Sequence, residues 1–123
     1  MTELSEQQIQ NKIIRDARNI PYKGRTLSDY IVHVPNGGKR SQRVGKAMQY
    51  GGVKRGYPDL VIDIARGGFH GLRIEIKKPD DGTVSPHQVE RLQMLTDEGY
   101  RAVVTEGYQE TMDEILNYLS LWP

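Results

Sequence analysis

Apolar positions along this chain change period several times, and each change predicts an element. Leu4, Ile9, Ile13, Ile14 and Ala17 recur at helical spacing, which predicts an amphipathic helix over residues 5–18. Ser5 is its N-cap candidate with Gln8 at the capping-box position, and Pro21 and Gly24 end it. Tyr30 to Val34 is rich in β-branched residues and predicts a short strand, stopped by Pro35-Asn36-Gly37-Gly38. Leu60 to Ala65 is nearly continuously apolar, the pattern of a buried strand. Arg66-Gly67-Gly68 opens a turn, and Leu72 to Lys77 forms the returning strand of a hairpin. Ser85-Pro86-His87-Gln88 is a helix start, with Ser as N-cap, Pro at the first helical position and Gln at the third. Val89, Leu92 and Leu95 are expected to face inward along that helix, which Gly99 ends. Arg101 to Thr105 reads as a strand, and Met112, Ile115, Leu116 and Leu119 mark a last helix. The expected class is α/β (α+β), a mixed β-sheet flanked by helices in the order α-β-β-β-α-β-α.

Composition narrows the classes of function. The 123 residues suit one domain, residues 1–123, with a core of its own. The absence of cysteine removes thiol catalysis, cysteine-ligated zinc and a disulfide framework. No apolar run approaches the roughly 18–20 residues that span a bilayer. The polar, acidic start does not read as a signal peptide. A soluble, cytoplasmic protein is expected. The net charge of +1 hides an asymmetry. Residues 36–56 carry Lys39, Arg40, Arg43, Lys46, Lys54 and Arg55 with no acid, interleaved with six of the thirteen glycines. Residues 80–123 carry nine acids against Arg91 and Arg101. The basic, Gly-rich stretch reads as a mobile loop with a helical turn or two near Arg43 to Tyr50. It is either a surface for a polyanion or a solvated loop.

The chemistry lies on the hairpin. Pro58-Asp59 begins one strand and Glu75-Ile76-Lys77 ends the other. Side chains alternate along a strand, so Glu75 and Lys77 share one face while Ile74 and Ile76 point to the core. Pairing brings Asp59 opposite the end of the returning strand, which gathers two carboxylates and an ammonium. Adjacent carboxylates repel unless a cation lies between them, and hard oxygen ligands suit Mg²⁺ or Mn²⁺. The alternative is a surface salt bridge from Lys77 to Glu75 or Asp59. The bare pattern is weak, arising by chance in roughly one chain of this length in twenty. Its placement on paired strands after a basic loop is what gives it weight.

Gly56-Tyr57-Pro58-Asp59-Leu60, Ile74-Glu75-Ile76-Lys77 and Ser85-Pro86-His87-Gln88 together resemble the VRR-NUC branch of the PD-(D/E)XK nuclease superfamily. The likeness runs from the first helix to about Thr105 and is similar to the stand-alone, phage-type form of the domain. It implies a restriction-endonuclease-like core and metal-dependent hydrolysis of DNA phosphodiester bonds. It also implies the metal ligands: Asp59, Glu75, the Ile76 carbonyl and, on the first helix, Glu6, with Glu3 as competitor. Lys77 matches the catalytic lysine, deprotonating water or neutralising developing charge. Gln88 matches a motif position, yet a capping box accounts for it equally well. Stand-alone members resemble Holliday-junction resolvases acting as homodimers on branched DNA. A flap or nicking endonuclease and a non-catalytic nucleic-acid-binding module are the rivals. No organic cofactor is expected.

Lys39, Arg40, Arg43, Lys46, Lys54 and Arg55 are the candidate DNA contacts, gripping phosphates without reading bases. Asn36 is a further candidate for DNA or metal-bound water, though Asn-Gly is a standard turn pair. Asp63 is a possible supporting residue on the face of Asp59, or an exposed strand position. Arg73 and Lys78 flank the site, as DNA contacts or as solvated charges. His33, His70 and His87 share no ligand spacing, and only His87, beside Gln88, is a candidate for function.

Overall fold

The computed structural model describes residues 3–35, 42–80 and 82–123, with the side chains of 42–44 left aside. Helix α1 (Glu6–Ala17) starts at Ser5, whose hydroxyl accepts from the Gln8 N–H while the Gln8 side chain accepts from the Ser5 N–H. This reciprocal cap satisfies donors that an uncapped first turn leaves open. A small hairpin follows, β1 (Pro21–Tyr22) paired antiparallel with β2 (Arg25–Thr26). Its turn residues Lys23 and Gly24 both adopt positive φ, 46° and 76°. That is the backbone a two-residue hairpin turn needs. Pro21 and Gly24 thus build a hairpin as well as ending the helix. A 3₁₀ turn (Leu27–Tyr30) leads into β3 (Ile31–His33).

Helix α2 (Gln42–Tyr50) occupies the basic stretch expected as a loop with a turn or two of helix. The central hairpin pairs β4 (Leu60–Ile62) with β5 (Leu72–Lys77), and β5 has the bounds that its alternation predicts. Helix α3 (Pro86–Asp97) carries a second capping box from Ser85 and Gln88 and ends before Gly99, at φ 93°. Strand β6 (Arg101–Glu106) runs parallel to β5, and α4 (Gly107–Leu119) closes the fold. The sheet order is β3-β4-β5-β6, two antiparallel pairings and one parallel. This is the expected mixed sheet with flanking helices.

The core follows from alternation. Leu72, Ile74 and Ile76 share one face of β5, and register places Leu60 and Ile62 of β4 beside them. Ile9, Ile13 and Ala17 of α1, with Met112, Ile115 and Tyr118 of α4, complete one buried cluster with that face. The Tyr118 hydroxyl donates to the Ile64 carbonyl at 2.7 Å, which satisfies its polar end inside the core. One expected inward position is corrected: Val89 of α3 is 55% exposed. Leu116 of α4 is 45% exposed. Helix α3 has no fully buried residue, so its contact with the sheet is shallow and mainly against β6.

Candidate active site

Strand β5 is buried on both faces, and this sets the character of the site. On the side opposite Ile74 and Ile76 stand Arg73, Glu75 and Lys77, each under a tenth exposed. Three charged side chains on a fully covered strand are costly unless each has a partner.

Asp59 lies just ahead of β4, and its Oδ2 accepts the Ile76 N–H at 2.8 Å. The bond fixes the carboxylate at the point where β4 stops pairing with β5. In extended backbone the N–H and C=O of one residue project to the same edge, so the Ile76 carbonyl faces the Asp59 side too. Glu75 takes its ammonium from Lys77, with Nζ 3.6 Å from Oε2. The Glu75 pKa is nevertheless pushed up to about 8. Burial is the largest cause, the Asp59 carboxylate and a hydrogen bond to it come next, and the opposing pull of Lys77 is outweighed. Burial and the neighbouring carboxylate thus favour the protonated form of Glu75.

Glu6, at the first turn of α1, adds the smallest upward push on Glu75. The structure thus brings Glu6 into the field of the pair. Among the described residues, however, no three His, Asp or Glu side chains gather at metal-binding spacing. Gln10, one turn further along α1, is buried and lines a separate cavity of about 390 Å³ with His33 and Arg18. The donor set at the sheet edge is two carboxylates and a carbonyl, all hard oxygens. Its excess negative charge fits a divalent cation of the Mg²⁺ or Mn²⁺ type.

The surroundings hold these groups in place. Gly82 lies against Lys77: a Cβ at position 82 would come 2.4 Å from the Lys77 Cβ. Gly56, at φ 74°, presses on the start of α3, where an added Cβ would meet the His87 carbonyl carbon at 2.6 Å. Only glycine permits that approach of backbone to backbone. Arg73, expected as a DNA contact or a solvated charge, is covered by protein. It is 8% exposed, donates to the Tyr57 hydroxyl at 3.3 Å and the Leu72 carbonyl at 3.2 Å, and stands over the Tyr100 ring at 4.3 Å. It clamps the residue that precedes Pro58-Asp59. Its parity with Glu75 and Lys77 along the strand is the signal that places it on their face.

The remaining candidates are placed as follows. Gln88 completes the α3 capping box, its Oε1 accepting from the Ser85 N–H at 2.9 Å. Asp63 is exposed, with its N–H on the Tyr30 carbonyl. Lys46, Lys54, Arg55 and His87 are exposed, and Lys78 is half-buried. His70 packs edge-on against Tyr100 with ring centres 5.8 Å apart. Asn36, Lys39 and Arg40 lie outside the described residues, as does the side chain of Arg43.

A solved structure described as a VRR_NUC domain protein is 42% identical, with a TM-score of 0.89 over 99% of this chain and 93% of that one. No curated protein matches. The model of the VRR-NUC domain, a nuclease-type domain, matches residues 2–109, a span containing the whole Asp59–Glu75–Lys77 edge. The chain belongs to the VRR-NUC family.

Proposed function

We propose that the protein is a metal-dependent, structure-specific DNA endonuclease, a homodimer acting on four-way junctions in the manner of a Holliday-junction resolvase. One observation carries the reading. Asp59, pinned by the Ile76 N–H at 2.8 Å, stands in the field of the buried Glu75, while Lys77 stands 3.6 Å from Glu75. A purely structural ion pair does not need the second carboxylate, which opposes it.

Asp59, Glu75 and the Ile76 carbonyl are the groups to hold Mg²⁺ or Mn²⁺, with Glu6 assigned as a further ligand. When bound, the cation supplies charge stabilisation at the scissile phosphate and a water of lowered pKa. Glu75 would hold a cation in its ionised form, so metal binding would compete with its proton. The Ile76 N–H keeps Asp59 from rotating out of the site. Lys77, held by Glu75 and by the backbone at Gly82, presents its ammonium to the developing phosphorane charge or exchanges a proton with the attacking water. The basic residues Lys39, Arg40, Arg43, Lys46, Lys54 and Arg55, with Asn36, are assigned to the DNA backbone.

A four-way junction is two-fold symmetric, so paired incision needs two copies of the site. The test is a labelled panel of four-way junction, flap, nicked duplex, linear duplex and single strand with Mg²⁺ or Mn²⁺. Symmetrical cuts confined to the junction are expected. Preferred cutting of the flap or nicked duplex overturns the resolvase assignment and leaves the nuclease. Binding of DNA without turnover overturns both in favour of a binding module.

A further inference from the structure

Outside the carboxylate edge, a cleft of about 290 Å³ lies between residues 53–55 and the exposed face of α3. Lys54, Arg55 and Arg91 line it against a single acid, Glu90, while Val53 and Met94 supply apolar wall. Val53 is 37% and Met94 47% exposed. Among the described residues the buried Arg91 Nε has no hydrogen-bond partner, and its guanidinium stands 5.8 Å from the centre of the Tyr57 ring. A buried donor left open is a cost that native structures rarely carry without a reason.

We propose that this cleft binds one unpaired nucleotide of the substrate, its phosphate on Lys54, Arg55 and Arg91 and its base against Val53 and Met94. Size and charge select that ligand. The volume sits at the lower end of small-ligand clefts, about 300–1,000 Å³. It is too narrow for a duplex and too roomy for a bare phosphate. The excess of cations favours an anion, and the apolar wall suits the flat face of a base. Planar Arg91 is the side chain suited both to a phosphate fork and to stacking.

Position ties the cleft to the cutting edge. Arg55 precedes Asp59 by four residues, at most about 14 Å of extended chain. Gly56 between them is pressed onto α3 too closely for any side chain. Tyr57, under Arg91, also holds Arg73 of β5. The cleft is therefore built at a fixed distance from Asp59 and Glu75. A nucleotide seated there marks the place where a duplex opens, which gives the enzyme a means of finding a branch. This assignment rests on the nuclease reading above and not on the junction assignment, since an intact four-way junction leaves no base unpaired.

The experiment measures anisotropy of labelled DNA on the full chain in EDTA, with a blunt duplex and the same duplex bearing a short unpaired tail. Wild type is expected to prefer the tailed duplex. Arg91→Gln and Met94→Glu each lose about tenfold on it, the size of one lost base or phosphate contact, with little change on the blunt duplex. Met94 is exposed, so its variant reports on the cleft even if Arg91→Gln misfolds. Equal loss on both substrates makes Arg91 a general phosphate contact and overturns the proposal, as does no loss in either variant. A separate Mn²⁺ cleavage assay reports on the nuclease reading. Inert wild type with the tail preference intact refutes catalysis and keeps the cleft.

Discussion

Glu75 concentrates the energetics of the site. Its carboxyl titrates near 4.5 when unfolded and at about 8 in the fold. Between those values the native state holds a proton that the unfolded chain has released, so metal-free stability falls as pH rises through that window. Thermal melts in EDTA are expected to show a falling midpoint from pH 5 to pH 8. A divalent cation at pH 8 restores it, since binding to the native site replaces the proton. Glu75→Gln, which cannot ionise, flattens both responses. A midpoint that rises with pH across this window in wild type contradicts the assigned state of the pair. Gly82 offers a second residue-scale check. Gly82→Ala forces a Cβ to within 2.4 Å of the Lys77 Cβ. It is expected to lower kcat more than DNA affinity, because it displaces the ammonium and leaves the phosphate contacts alone.

At the scale of elements, α3 separates capping from chemistry. Ser85 and Gln88 cap each other, so Ser85→Ala and Gln88→Ala are each expected to cost about 1 kcal/mol in denaturant titrations. If Gln88 serves only the cap, both variants cut DNA alike. A selective loss of turnover in Gln88→Ala assigns it to the site. Gly56→Ala costs more, about 1–2 kcal/mol for the left-handed backbone alone, plus the clash with His87. The same elements show how much a reader of the sequence can recover. The bounds of β5, the cap of α3 and the meeting of Asp59 with Glu75 and Lys77 follow from local rules, alternation and hairpin register. The β1–β2 hairpin was hidden because two-residue strands leave no period to detect. Val89 and Leu116 sit at helical spacing yet face outward, since only tertiary packing decides how deep a helix settles. Arg73 looked like a surface charge because its partners, Tyr57 and Tyr100, come from distant segments.

For the whole molecule, charge is segregated. Six basic residues lie between positions 36 and 56, and nine acids lie beyond residue 79. Six full phosphate contacts give a slope of about −5 for log affinity against log salt on duplex DNA. A slope near zero removes the DNA-gripping role of that stretch. Among the described residues no helix is long and apolar enough to cross a membrane, and exposed apolar side chains such as Tyr50 and Trp122 remain on the surface. Sedimentation with and without junction DNA is expected to show a dimer, and a monomer in both conditions argues against paired incision. The central claim is that Asp59, Glu75 and Lys77 form a cation-dependent hydrolytic site. Its most direct test is junction cleavage by wild type, Glu75→Ala and Lys77→Ala in Mn²⁺, Mg²⁺ or EDTA, with binding measured in parallel. Wild type should cut only with a cation, and each variant should lose about 10²-fold or more in rate while still binding DNA. Cutting by wild type in EDTA, or undiminished cutting by Glu75→Ala, would place the chemistry elsewhere on the protein.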